Sequence, residues 1–112
     1  MKVSLSVLER IFLLNALPAE GDITTIRIVS DLRKEISFSE TELSEWKISK
    51  EDSGAIEWDG EKAEEKEIDF GAKEHTIVAE ALKKVSDNGK VTEKYISTYN
   101  KFSEDGDEST VE

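Results

Sequence analysis

Apolar side chains recur at helical spacing in the first third of the chain. A first set lies on one side of a helical wheel and predicts an amphipathic helix from Ser4 to about Asn15, ending before Pro18. Its members are Leu5, Leu8, Ile11, Phe12 and Leu14. A second set predicts a second helix, with Asp22 or Thr24 as its N-cap. It consists of Ile26, Val29, Leu32 and Ile36.

A third helix has the clearest local signal. Ser39 and Glu42 have the S-x-x-E spacing of a capping box, and Phe38 and Leu43 occupy the hydrophobic-staple positions. The pattern predicts a helix that ends at about Trp46 or Lys47, with Leu43 and Trp46 facing inward. Trp46 and Trp58 are both expected in the core, because each fits the buried phase of its element.

The hydrophobic period then changes from helical to alternating. Ile56 and Trp58 alternate with acidic residues, and Ile68 and Phe70 do the same. Alternation of this kind is typical of strands with one buried face, so we expect the two segments to pair as a hairpin.

Two further helices are predicted after the hairpin. One runs from Ala72 to Asp87 and ends at the Asn-Gly pair 88–89, which favours a left-handed C-terminal cap. Thr92 is the expected cap of the last helix, which Tyr95, Tyr99 and Phe102 continue. Residues 103–112 form an acidic segment that we expect to be disordered.

These elements predict a mostly helical α+β fold with one compact domain over residues 1–102. Three helices followed by a hairpin is the order of a winged helix, here extended by two C-terminal helices. A chain of 112 residues is suited to a single core.

The net charge of −11 is unevenly distributed and changes the functional interpretation. Residues 35–70 contain four basic and thirteen acidic side chains, and residues 71–102 contain six basic and four acidic ones. Duplex DNA binds proteins largely through lysine and arginine contacts to phosphate, so the acidic middle third makes nucleic acid a poor ligand. It disfavours anionic membrane surfaces for the same reason.

No catalytic or metal-binding motif stands out in the sequence. The chain has no cysteine, and its one histidine, His75, is expected to be an exposed surface residue. The segment 105–110, DGDEST, has the first two ligands of an EF-hand loop but lacks its sixth-position glycine. We therefore expect no enzyme activity, no cofactor and no metal site.

The predicted contact residues are acidic and aromatic. Seven carboxylates in the middle third are candidates for a partner-binding surface: Glu40, Glu42, Glu45, Asp59, Glu61, Glu64 and Glu65. Tyr95 and Tyr99 lie one helical turn apart and fit either the core or a binding face.

The opening SLSVLERIFLLNALP and the closing AEALKKVSDNGKVTEKYISTYNKF resemble small uncharacterised proteins encoded by bacteriophages and prophages. The resemblance is one of general pattern over about 100 residues and transfers neither an activity nor a site residue. It implies a setting in the bacterial cytoplasm, which agrees with the absence of a signal-peptide pattern in the sequence.

The leading hypothesis is a non-enzymatic module that binds a protein partner through its acidic surface. A second hypothesis is an inhibitor that mimics DNA, in which the seven carboxylates imitate phosphates. A third is a DNA-binding winged helix that uses Arg27, Arg33, Lys34 and Lys47. A homodimer through the last helix is also possible on sequence grounds.

Overall fold

The computed structural model describes residues 1–53 and 56–102 of the chain. The fold is mostly helical α+β, as predicted. Its strands are β1 (Lys2–Leu5), β2 (Ser49–Lys50), β3 (Ile56–Glu57) and β4 (Lys66–Asp69). Its helices are α1 (Val7–Ala16), α2 (Ile23–Ile36), α3 (Glu40–Glu45), α4 (Ala72–Asp87) and α5 (Ile96–Phe102).

The five predicted helices are confirmed in their order, with strands between the third and the fourth. Local signals placed several boundaries well. Asp22 caps α2 by accepting from the backbone N–H of Thr25, and the capping box of Ser39 and Glu42 begins α3. The bounds of α4 are those predicted, and Gly89 follows it with a φ of +70° in a Schellman-type turn.

The first helix begins later than predicted because a strand precedes it. Ser6 caps α1 in a second capping box, in which it accepts from the Glu9 backbone and Glu9 accepts from the Ser6 backbone. The residues before it form β1, whose Val3 and Leu5 are buried. This S-x-x-E signal lay hidden inside the apolar run that the helical wheel assigned to one element.

The predicted pairing of the segments around Ile56 and Ile68 is wrong. The hairpin is formed by β2 and β3, in the register Ser49 opposite Glu57 and Lys50 opposite Ile56. The strand β4 instead pairs antiparallel with β1, so that Val3 lies opposite Ile68. A partner some 65 residues distant along the chain cannot be detected from local alternation.

The main core lies between the β1–β4 pair and helices α1, α2, α4 and α5. Its largest members include Leu5, Leu13, Ile36, Phe70 and Phe102, and the rings of Phe70 and Phe102 meet edge to face at 5.0 Å. Of the predicted apolar stripe, Leu5 and Phe12 are buried, whereas Leu8, Ile11 and Leu14 are only half-buried. Leu13 and the charged residues Glu9 and Arg10 are buried on α1 as well.

Four further expectations need correction. Leu43 does not face inward, since it is 40% exposed, and Trp58 is half-buried whereas Trp46 is buried as predicted. His75 is half-buried 6.0 Å from the Phe102 ring. Thr92 stands at the start of a 3-10 turn (Glu93–Tyr95) before α5, but its side chain makes no capping hydrogen bond.

The predicted acidic segment 103–112 lies outside the described residues. Among the helices that the structure describes, none is long and apolar enough to cross a membrane.

Candidate functional site

Helix α3 is anchored to α1 by a buried arginine. The Arg10 side chain is fully buried, and its guanidinium donates to both carboxylate oxygens of Glu42 at 3.0 and 2.9 Å. It also donates to the backbone carbonyls of Ile36 and Ser37 at the end of α2, and it lies 4.1 Å from the centre of the Phe38 ring. The Arg10 side chain therefore holds the end of α2 and the start of α3 in place against α1.

This contact accounts for one of the predicted partner-binding residues. Hydrogen bonding from Arg10 lowers the pKa of Glu42, and a backbone hydrogen bond from Ser39 adds to the effect. Because Glu42 both caps α3 and neutralises Arg10, it is committed to internal contacts. The carboxylates of Glu40 and Glu45 on the same helix are exposed.

Beyond this anchor, α1, α3 and the hairpin enclose a shallow apolar hollow of about 300 Å³. The residues that line this "apolar hollow" are Ile11, Leu14, Asn15, Phe38, Leu43, Ile48, Ser49, Lys50 and Ile56. Its apolar members are half-buried or, in the case of Leu43, exposed. The side of α1 that faces away from the core thus remains only partly covered.

The end of α3 shapes one wall of the apolar hollow. The Ile48 N–H donates to the Leu43 carbonyl at 3.1 Å, which is the six-to-one bond of a Schellman turn. Lys47 occupies the left-handed position with a φ of 53°, where glycine is usually preferred. The turn places Ile48 next to Leu43, so both side chains point into the apolar hollow.

A second hollow adjoins the hairpin, with a volume of about 520 Å³. The residues that line this "acidic hollow" are Lys47, Ser49, Ile56, Glu57, Trp58 and Asp59. It shares Ser49 and Ile56 with the apolar hollow, so the two hollows meet at the hairpin. The apolar hollow is lined mainly by apolar side chains together with Lys50, and the acidic hollow by two carboxylates, a lysine and the half-buried Trp58.

Two glutamates of the hairpin lie close enough to repel each other. Glu57 raises the pKa of Glu51, first through a hydrogen bond between the two carboxyls and then through like-charge repulsion. Neither side chain has an ion-pair partner among the residues that the structure describes. Neither residue stands out in the sequence, because their proximity depends on the hairpin register.

The remaining predicted carboxylates are divided between structural and exposed positions. Asp59 accepts from the Glu61 N–H at 3.0 Å, and its own N–H donates to the Trp46 carbonyl at 2.7 Å. Glu64 and Glu65 line a third hollow of about 190 Å³ together with Trp58 and Leu8. Glu61 is exposed, and Glu65 lies 3.7 Å from the Lys101 ammonium.

Tyr95 and Tyr99 both pack against the core. The Tyr95 ring stacks on Phe12 with centroids 4.0 Å apart, and the Tyr99 hydroxyl donates to the Leu82 carbonyl at 2.7 Å. Burial raises the pKa of Tyr99. Of the two alternatives that the sequence left open for these tyrosines, core or binding face, these contacts favour the core.

The basic residues of the DNA-binding hypothesis are also divided. Arg33 donates to the backbone carbonyls of Leu14 and Leu17 at the end of α1, where it satisfies helix-terminal acceptors. Arg27, Lys34 and Lys47 are exposed.

Residues 1–53 and 56–102 contain no group of three or more histidine or acidic side chains arranged to hold a metal ion. Comparisons with protein-family models, with curated proteins and with solved structures gave no match to this chain.

Proposed function

We propose that this chain is a non-enzymatic protein-interaction module, phage-encoded and acting in the bacterial cytoplasm. It binds a protein partner through the surface formed by α3 and the β2–β3 hairpin. The observation that carries this proposal is an incompletely covered apolar hollow that adjoins the exposed carboxylate of Glu57, which has no ion pair within the described chain. Apolar surface bordered by polar groups is the usual composition of a protein interface.

Electrostatics favour a protein over a nucleic acid as the ligand of this surface. The exposed side chains Glu40, Glu45 and Glu57 would meet phosphate groups of the same sign. Arg33, which the DNA-binding alternative needs, is engaged with carbonyls at the end of α1.

Mimicry of DNA is the second candidate, but the contacts of the seven carboxylates support it less well. Glu42 is neutralised by Arg10, Asp59 stabilises its own turn, and Glu65 lies near Lys101. A mimic needs regularly spaced free charges, and three of the seven are involved in internal contacts. Binding of a partner through both the apolar hollow and the free carboxylates accounts for more features of this surface than mimicry does.

Affinity capture with two charge-matched variants tests the proposal. One variant reverses Glu40, Glu45 and Glu57 to lysine on the α3–hairpin surface. The control variant reverses Glu20, Asp31 and Glu80 to lysine; these residues are exposed and lie outside that surface. Both variants have the same net charge, so a difference between them reports the position of the charges.

The wild type and the control variant are expected to recover the same partner from bacterial lysate, and the α3–hairpin variant is expected to lose it. Recovery should decrease from ~50 mM to ~500 mM salt, where charge interactions are screened. Equal recovery by all three proteins would contradict the proposal, as would tight binding of duplex DNA by the wild type at ~50 mM salt.

A further inference from the structure

We infer that the occupant of the α3–hairpin surface is a basic amphipathic helix of the partner protein. Its apolar side chains enter the apolar hollow, and its lysine or arginine side chains lie over the acidic hollow. This inference rests on the proposed function and specifies the chemistry of the ligand.

The apolar hollow fits anchoring side chains rather than a whole ligand. Its volume of about 300 Å³ is at the small end of the range for binding pockets. Leu43 exposes 40% of its surface there, and Ile11, Phe38, Ile48 and Ile56 are each half-buried. None of these five belongs to the main core or packs directly against it. Covering them would remove from water apolar surface that the fold itself leaves accessible.

The acidic hollow specifies the charge of the ligand. Glu57 and Asp59 line it. Glu51 lies nearby on the hairpin, close enough for its carboxylate and that of Glu57 to repel each other. Lys47 here and Lys50 in the adjoining apolar hollow offset two of these three charges, so the combined surface retains one excess carboxylate. A ligand cation between Glu51 and Glu57 would relieve their repulsion, and the half-exposed Trp58 ring offers a cation–π contact beside them.

The short strands of the hairpin argue for a helix over an added strand. Strand addition derives its affinity from main-chain hydrogen bonds along a sheet edge, and β2 and β3 each contain two residues. Such an edge offers few bonds. A helix that presents anchors on one face, with basic residues beside them, matches a surface whose apolar and acidic halves meet at Ser49 and Ile56.

Charge also disfavours two alternative ligands of this surface, the end of this chain and a second copy of it. Residues 103–112 contain five acidic and no basic side chains, so this chain's own end would be repelled from the acidic hollow. A symmetric dimer through this surface would bring two patches with the same excess of carboxylates together.

The test uses the full chain, labelled with ¹⁵N, and a helical peptide made of leucine and lysine. The peptide has about 14 residues, roughly four turns, with leucines on one face. One control peptide has the same composition with leucine and lysine alternating, and a second has glutamate in place of lysine. Amide chemical shifts are followed during each titration.

The expected result is saturable binding of the amphipathic basic peptide, with the largest shifts at Ile11, Leu43, Ile48 and Glu57. Leu43→Glu should weaken binding by about tenfold or more, because it places a carboxylate at the centre of the apolar hollow. The matched control is Ile23→Glu, since Ile23 is also exposed, at 64%, but lies outside both hollows. Glu57→Lys should weaken binding and reduce its dependence on salt.

Several outcomes would overturn the inference. These are equal affinity for the alternating peptide, tighter binding of the glutamate peptide, an equal effect of Leu43→Glu and Ile23→Glu, or shifts confined to α4 and α5. Concentration-dependent shifts of the same residues without peptide would assign the surface to a second copy of the chain. The proposed function fails separately, if the charge-matched variants capture the same partner as the wild type.

Discussion

Arg10 on α1 and Glu42 on α3 form a bidentate ion pair with two hydrogen bonds, in which the arginine is completely buried. The guanidinium also binds the last carbonyls of α2. Since α3 is six residues long and has no fully buried residue of its own, this pair determines where the helix lies. The position of the apolar hollow therefore depends on a contact made beneath it.

Removing the arginine should destabilise the whole domain. Arg10→Ala leaves Glu42 and two carbonyls without their donor, and loss of one partner of a buried pair costs about 3–5 kcal/mol. Equilibrium unfolding in urea, followed by tryptophan fluorescence, measures the free energy of unfolding. Lys83→Ala is the control, because it breaks an exposed ion pair with Asp87 and should cost no more than about 0.5 kcal/mol. Similar losses for the two variants would contradict the assigned role of Arg10.

Glu9 should make stability depend on pH in the acidic range. Burial would raise the pKa of this carboxyl, but hydrogen bonds from Lys101, Ser6 and Ser97 outweigh burial and lower it below 4.5. A carboxyl with a lowered pKa in the folded state stabilises the protein above its unfolded pKa, and this contribution is lost as the pH falls through the folded value. Glu9→Gln should therefore cost about 1.5–3 kcal/mol at neutral pH.

The difference between wild type and Glu9→Gln should shrink as the pH falls below the ordinary glutamate value of 4.5 and through the lowered pKa that Glu9 has in the folded state. Urea unfolding at a series of pH values measures it, and the exposed Glu80→Gln serves as the control. A difference that stays constant or grows toward low pH would show that Glu9 is not held as a carboxylate.

Two substitutions at left-handed positions should have opposite effects. Lys47→Gly removes a side chain from a residue at φ 53° and should stabilise the domain by up to about 1 kcal/mol. Gly89→Ala introduces a side chain at φ 70°, where no atom would obstruct it, and should destabilise by about 1 kcal/mol through backbone strain alone. Thermal unfolding measures both changes, and equal signs would be inconsistent with the two turns described.

Glu57→Gln should bring the pKa of Glu51 back toward its ordinary value. The neighbouring carboxylate raises that pKa, so its removal eliminates both the shared hydrogen bond and the repulsion. A ¹³C carboxyl NMR titration of Glu51 measures the change, with Glu40→Gln as a control outside the hairpin. An unchanged Glu51 titration would place the two carboxyls further apart than the hairpin register requires.

Helix boundaries with a local signal were predictable from the sequence. The capping box of α3 and the bounds of α4 depend on residues within a few positions of each other, and their spacing is visible in the chain. The same reasoning applies to Ser6 and Glu9, but the apolar run around them favoured one continuous helix.

The strand pairing and the candidate site depend on distant residues. Val3 pairs with Ile68, and Arg10 with Glu42, through contacts that no local period encodes. Arg10 and Glu9 interrupt an apolar run in the sequence, yet both are buried, because each finds partners on other elements. The exposed acids of the middle third were predictable as a set, whereas the apolar hollow beside them required the fold.

Hydrogen–deuterium exchange of the full chain, free and bound to the partner that it captures, tests the central claim most directly. We expect binding to protect α3 and the hairpin, together with the side of α1 that includes Ile11. Exchange in α4 and α5 should be unchanged. Protection concentrated on α4 or α5, with α3 and the hairpin unaffected, would contradict the account.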